Sequence, residues 1–276
     1  MAKLLRGLKV IPGKTPRLGT RKTDNLLGLD SRDDARPFLA DSISAMQKLQ
    51  GRLGAEGERS VLLIIQGMDA SGKDGLIRQV FTGVNPQGCS VWSFKAPTSD
   101  DYAHDYLRRV SMQLPRRGNI GIFNRSHYED LVTARVIDVI DDDRLEKRIG
   151  HVRNFEKMLN DEGTKVVKVF LHISKDEQLK RLKARVDKPE KHWKFEPSDL
   201  VARKSWDEYE RWYEHVMKAT STEWAPWYVI PSDNKWVRDA AVADLLVDTL
   251  FEMDPQPPTL EIDPKSIEFE EVLEVD

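Results

Sequence analysis

Residues 61–75, VLLIIQGMDASGKDG, hold the clearest chemistry in this chain. An apolar strand runs into Gly67-x-x-x-x-Gly72-Lys73, and a helix begins near Lys73. Such glycines let the backbone curl until successive N–H groups of Gly67, Ala70, Ser71, Gly72 and Asp74 point at phosphate oxygens. The helix N-terminus adds unpaired N–H groups and partial positive charge, and Lys73 adds a mobile full charge. The usual pattern has Ser or Thr after the lysine to bind Mg²⁺, whereas Asp74 stands here. Asp69 lies inside the loop, where a bare carboxylate would repel phosphates. It is tolerated if Mg²⁺ sits between them, which makes Asp69 the candidate metal ligand. An ordinary strand-to-helix turn is the alternative reading of these glycines.

Two further clusters suit the same anion. In GNIGIFNRSHYED, residues 118–130, a short strand ends at Asn124 and Arg125. Ligands of parallel sheets bind beyond the carboxyl ends of the strands, beside a phosphate loop. Arg125 offers a planar fork of donors, Asn124 can orient a water or phosphate, and Glu129 and Asp130 follow within substrate reach. The competing reading pairs Arg125 with Glu129 at a helix start. From Lys175 to Lys194 eight basic residues face four acids. Arg181 and Arg185 share one helix face, Lys188 precedes Pro189, and Lys191 and Lys194 flank Trp193. A basic helix with a Pro-broken loop suits a lid closing over phosphates; a solvated helix face is the alternative.

These groups need a frame. Short apolar strands at Val61–Gln66, Ser90–Phe94, Ile120–Phe123, Val166–Ile173 and Trp227–Ile230 alternate with helical patterns near 73–82, 100–112, 143–162, 175–186, 198–219 and 236–251. That alternation predicts an α/β fold: three layers, with a five-stranded parallel sheet between helices and a helical lid at about 175–197. Residues 1–36 read as an irregular N-terminal arm and 37–252 as one domain. Pro37 suits a first helical turn, and the spacing of Leu39, Ile43, Met46, Leu49 and Leu53 continues that helix until Gly54. Residues 253–276 read as an acidic extension.

Composition narrows the class. The chain has 276 residues and a formal charge of −3, but the average conceals its layout. From Glu252 to Asp276 there are nine acids and one base, a local −8 that leaves +5 for residues 1–251. The Val61–Ile65 apolar run is far short of the roughly 20 residues that span a bilayer. One cysteine, Cys89, cannot form an internal disulfide, and the basic N-terminus lacks a secretory apolar core. A cytoplasmic protein is expected, with no membrane partner. No basic-aromatic array suggests nucleic acid, and the six histidines show no zinc spacing. The Trp206, Tyr209, Tyr213 and Val216 stripe reads as core or subunit contact.

Four blocks in order, GMDASGKDG, KAPTSDD (95–101), GIFNRSHYED and KPEKHWKFEPSDLVARKSWDEY (188–209), resemble the second polyphosphate kinase family, polyphosphate kinase 2. The resemblance runs from about residue 35 to residue 252. It implies a P-loop kinase fold with a lid. The implied activity is reversible phosphoryl transfer between inorganic polyphosphate and AMP or ADP with Mg²⁺, in a protein that tends to form homo-oligomers. Carried over residue by residue, it places catalysis on Asp69, Lys73, Arg125 and Arg185, and phosphate binding also on Arg181, Lys188, Lys191 and Lys194. Nucleotide contacts fall on Lys95, Asn124, Arg125 and Glu129. Asn124 in place of Asp resembles members that accept both AMP and ADP. An ATP-dependent nucleotide kinase and a non-catalytic polyphosphate-binding protein are the alternatives.

Overall fold

The computed structural model describes residues 4–194 and 197–259. Residues 1–3 of the arm, 195 and 196 of the expected lid, and 260–276 of the acidic extension lie outside the described residues. After the arm come α1 (Arg32–Glu56), β1 (Ser60–Gln66), α2 (Lys73–Val80), β2 (Cys89–Ser93), α3 (Ser99–Tyr102), α4 (Arg108–Ser111) and β3 (Ile120–Asn124). Next are α5 (Val132–Val136), α6 (Asp142–Asp161), β4 (Thr164–His172), α7 (Lys175–Val186) and a 3-10 turn at Pro189–Lys194. The chain continues through α8 (Pro197–Lys204), α9 (Trp206–Thr220), β5 (Trp227–Pro231) and α10 (Lys235–Met253).

All five strands are parallel, in the order β2-β3-β1-β4-β5. β1 is central and buried along its whole length, which explains its unbroken apolar run. Its side chains alternate between two cores. Leu62 and Ile64 pack with Leu145, Val152, Phe155, Trp212, Tyr213 and Val216 from α6 and α9. Val61, Leu63 and Ile65 pack with Met46 and Leu53 of α1, Leu76 of α2 and the small apolar face of α10. The sheet therefore lies between two helical layers. Cys89, on the margin strand β2, is half-buried, and burial pushes its thiol up to about 11.

Some boundaries move. α1 begins at its Ser31 cap, whose hydroxyl accepts from Asp34 N, so Pro37 lies inside the helix and not in its first turn. The helix also passes Gly54 and stops at Gly57, where φ is 69° and the N–H reaches Leu53 O. The 100–112 stretch divides into α3 and α4, and 198–219 breaks at Ser205 into α8 and α9. No described helix is long and apolar enough to cross a membrane.

Candidate active site

The loop between β1 and α2 opens at the carboxyl edge of the sheet. Gly67 (φ 150°), Ala70 (59°) and Gly72 (101°) turn it in the left-handed half of backbone space. A Cβ on Gly67 would lie 2.8 Å from Leu171 O, so a side chain is excluded by β4 as well as by φ. The outcome is a turn whose amides lead directly into the first turn of α2. Lys73, the first residue of that helix, is buried, with Nζ 2.7 Å from Gly67 O and 3.3 Å from Met68 O. Burial lowers its pKa to about 8, helped by the Arg125 charge and opposed by Asp69, Glu129 and Asp74. Burial outweighs those three carboxylates, so an arriving anion would favour the charged form.

Strand β3 delivers the opposite wall. Ile65 of β1 pairs with Asn124, and Arg125 N donates to Ile65 O at 3.0 Å, so the end of β3 is locked in register beside the loop. Arg125 has φ 62°, a conformation that a β-strand residue does not hold without support, and its guanidinium reaches back to Asp69 Oδ1 at 2.9 Å. The Arg125–Asp69 pair replaces the expected alternative of Arg125 with Glu129. Asn124 Nδ2 donates to Asp74 Oδ1 at 2.8 Å, and Lys194 Nζ stands 3.6 Å from Asp74 Oδ2. Burial raises the Asp74 pKa, but the Asn124 bond and the Lys194 and Lys73 charges outweigh it and hold it below its ordinary value. Asp74 thus meets Asn124 and the basic segment with its carboxylate.

Glu129 is fixed from below. Thr133 Oγ1 donates to Glu129 Oε2 at 2.8 Å. The buried Gln66 amide, oriented to match its neighbours, donates to Glu129 Oε1 at 2.9 Å and accepts from Ser126 N at 3.0 Å. Asp130 turns away to Arg109 at 2.9 Å, both about one-tenth exposed (11% each), so it does not line the site as expected. Burial raises the Asp130 pKa against the pull of Arg109. Arg109 Nη1 also donates to Lys95 O at 2.9 Å, tying the end of β2 to the turn after β3. Lys95 itself is exposed, and it is the backbone carbonyl that is engaged.

The basic segment divides. Lys194 reaches Asp74 and lies 4.8 Å from the centre of the Trp193 ring, Arg185 Nη1 donates to Lys194 O at 3.0 Å, and Lys188 is exposed. Arg181 departs from its expected role. Its Nη1 donates to Ala70 O (3.1 Å) and Ser71 O (2.9 Å), and its Nη2 to Ser232 O (2.7 Å) and Asp233 O (2.9 Å). With Nε bonded to Glu177 at 2.9 Å, all five N–H groups are engaged, none of them with room for a phosphate. Asp69, Lys73, Asp74, Asn124, Arg125, Glu129 and Lys194 are brought together. Sequence reasoning missed Gln66, Gln178 and Arg238, of which Gln178 donates to Asp69 O at 3.1 Å. The readable signals were a polar end on the apolar β1 and an Arg-Asp pair in the otherwise apolar start of α10.

No cluster of three or more metal-binding side chains exists among the described residues. A cation held wholly by protein does not fit. Mg²⁺ taking one carboxylate, waters and substrate phosphates does fit the quarter-exposed Asp69 (24%) at the mouth of the loop.

The chain is similar to known proteins in sequence and in fold. A solved polyphosphate kinase 2 structure from Arthrobacter aurescens TC1 superposes with a TM-score of 0.89 at 40% identity, over 94% of this chain and 92% of that one. An AMP/ADP-polyphosphate phosphotransferase of Meiothermus ruber is 52% identical over 217 residues, 78% of this chain and 81% of that protein. An ADP-polyphosphate phosphotransferase of Rhodopseudomonas palustris is 42% identical over 256 residues, 88% and 86% of the two chains. The sequence model of polyphosphate kinase 2 matches residues 29–258, around every element of the site just described, and the chain belongs to that family.

Proposed function

We propose that this protein is a polyphosphate-dependent nucleotide kinase that moves a phosphoryl group reversibly between inorganic polyphosphate and AMP or ADP. The carrying observation is the buried Lys73, its Nζ held on Gly67 O beside the Arg125–Asp69 pair, in a chain of this family. A terminal phosphate oxygen of the nucleotide attacks the end phosphorus of polyphosphate. One P–O bond forms, the bridging P–O bond breaks, and the shortened chain leaves with the bridging oxygen's electrons. The attacking oxygen is already ionised at neutral pH, so no strong general base is needed. Lys73 and Arg125 meet the charge spread over the transferred group, and the loop amides orient it. Asp69, with the phosphates, would hold Mg²⁺, which when bound neutralises phosphate charge. Lys188, Lys191 and Lys194 follow the rest of the anionic chain, and Arg185 fixes their loop through Lys194 O while remaining the basic-segment side chain assigned to the transferred group.

The test is ATP formation from ADP, Mg²⁺ and polyphosphate, with AMP in parallel and Lys73→Ala as control. Turnover that needs polyphosphate and falls at least about 100-fold in Lys73→Ala is expected. Absence of polyphosphate turnover, with ATP serving as donor to nucleotides instead, would retire the reading.

A further inference from the structure

The loop's shape depends on two arginines that approach it from behind. Ser71 O accepts from Arg181 Nη1 of α7 at 2.9 Å and from Arg238 Nη1 of α10 at 3.3 Å. Arg238 is 2% exposed, and Asp239 Oδ1 takes its Nε at 2.9 Å and its Nη2 at 2.6 Å, so its fork has one orientation. A Cβ on Gly72 would lie 2.1 Å from Arg238 Nη1, so the guanidinium is pressed against the loop backbone. Arg181 also carries Ser232 O and Asp233 O, which makes the end of β5 the anchor of the grip.

A trans peptide points its C=O and N–H in opposite directions. Holding Ser71 O towards the arginines therefore aims the Gly72 N–H at the mouth of the loop, where phosphate would sit. We infer that Arg181 and Arg238 are positioning residues that act as one clamp on the 71–72 peptide, pre-orienting the phosphate loop from two helices behind it without touching substrate. Both guanidinium charges are already met by carboxylates, Arg181 by Glu177 and Arg238 by Asp239, so the clamp acts through geometry and not through added charge. The clamp rests on the phosphate-transfer reading for its kinetic consequence but not for its geometry.

The experiment compares Arg181→Met, Arg238→Met and the double variant by ATP formation, by tripolyphosphate binding calorimetry and by hydrogen exchange of residues 67–74 without ligand. Each single variant is expected to lose about 10- to 100-fold in kcat per folded molecule with KM for ADP within about 3-fold. Exchange in the loop should quicken and tripolyphosphate binding weaken. Because both arginines hold one peptide, the double variant should be no worse than the poorer single. Unchanged kcat per folded molecule, or losses that multiply in the double variant, would overturn the clamp. If Arg238→Met fails to fold, Asp239→Asn, which frees the fork at equal volume, carries the same comparison. If wild type shows no polyphosphate turnover, exchange and binding still decide the clamp: loops equally protected in all variants refute it.

Discussion

Lys73 is the residue whose protonation this site controls most closely. Its pKa near 8 is set by burial before any charge neighbour. In free enzyme the ammonium is present below pH 8 and is lost above it, so kcat/KM for an anionic substrate should fall about tenfold per unit beyond pH 8. Bound phosphates favour the charged form, so kcat at saturation should stay flat to higher pH. Lys73→Arg should abolish the alkaline limb at whatever rate it retains, since guanidinium does not titrate there. Matching limbs in kcat and kcat/KM, or a limb that survives in Lys73→Arg, would remove Lys73 as its cause. Lys73, Asp69 and Arg125 were legible as site candidates because they sit in short contiguous motifs, but the pairing of Arg125 with Asp69 was not. The role of Arg181 was not. Its carbonyl partners lie more than 50 residues before and after it, and a basic helix face looks the same whether it meets phosphate or carbonyl oxygens.

At the scale of elements, β4, α6 and the turn after β3 are joined by a buried ionic group. Lys168 of β4 pairs with Glu156 of α6 and donates to Tyr128 OH at 3.0 Å and Thr220 O at 2.8 Å. Tyr128 OH in turn donates to Glu156 Oε1 at 2.8 Å. Burial disfavours the charge on both partners: Glu156 stays below its usual range because Lys168 and His127 outweigh that cost, whereas Lys168 falls below its own despite Glu156. Lys168→Met alone would strand a buried carboxylate, at a cost of about 3–5 kcal/mol and a melting drop on the order of 10 °C. Lys168→Met with Glu156→Gln should recover most of it in a thermal melt. A single variant melting within a degree or two of wild type would show that the pair is not what secures this corner. The strands themselves were readable, because parallel strands buried on both faces need unbroken apolar runs. Lys168 was not, since one lysine inside TKVVKVFLH reads as a solvent-facing position until its partners on α6 and the β3 turn are known.

At the scale of the molecule, the arm belongs to both cores. Leu5 and Leu8 pack on the α10 side, Val10 and Leu18 on the α9 side, and His172 Nε2 lies 3.1 Å from Leu18 O. The Gly, Pro and basic residues of that segment were legible as irregular chain, but its scattered leucines have no helical or strand period to mark them as core. Removing residues 1–10 should uncover those seats, lower the melting temperature and raise light scattering on heating. A truncated chain that melts and scatters like the full one would show the arm to be dispensable. The arm has a second effect through its antiparallel bridge from Lys9 to Tyr228, flanked by Val229 N to Leu8 O at 2.9 Å and Val10 N to Trp227 O at 2.8 Å. It occupies the β5 margin of the sheet, whereas β2 at the other margin leaves Val91 and Trp92 exposed. A sheet with two bare margins can recruit copies in both directions without limit, as fibres do. With one margin capped, joining β2 to β2 across a two-fold axis consumes the sole bare margin of each copy among the described residues, and growth by that route ends at two.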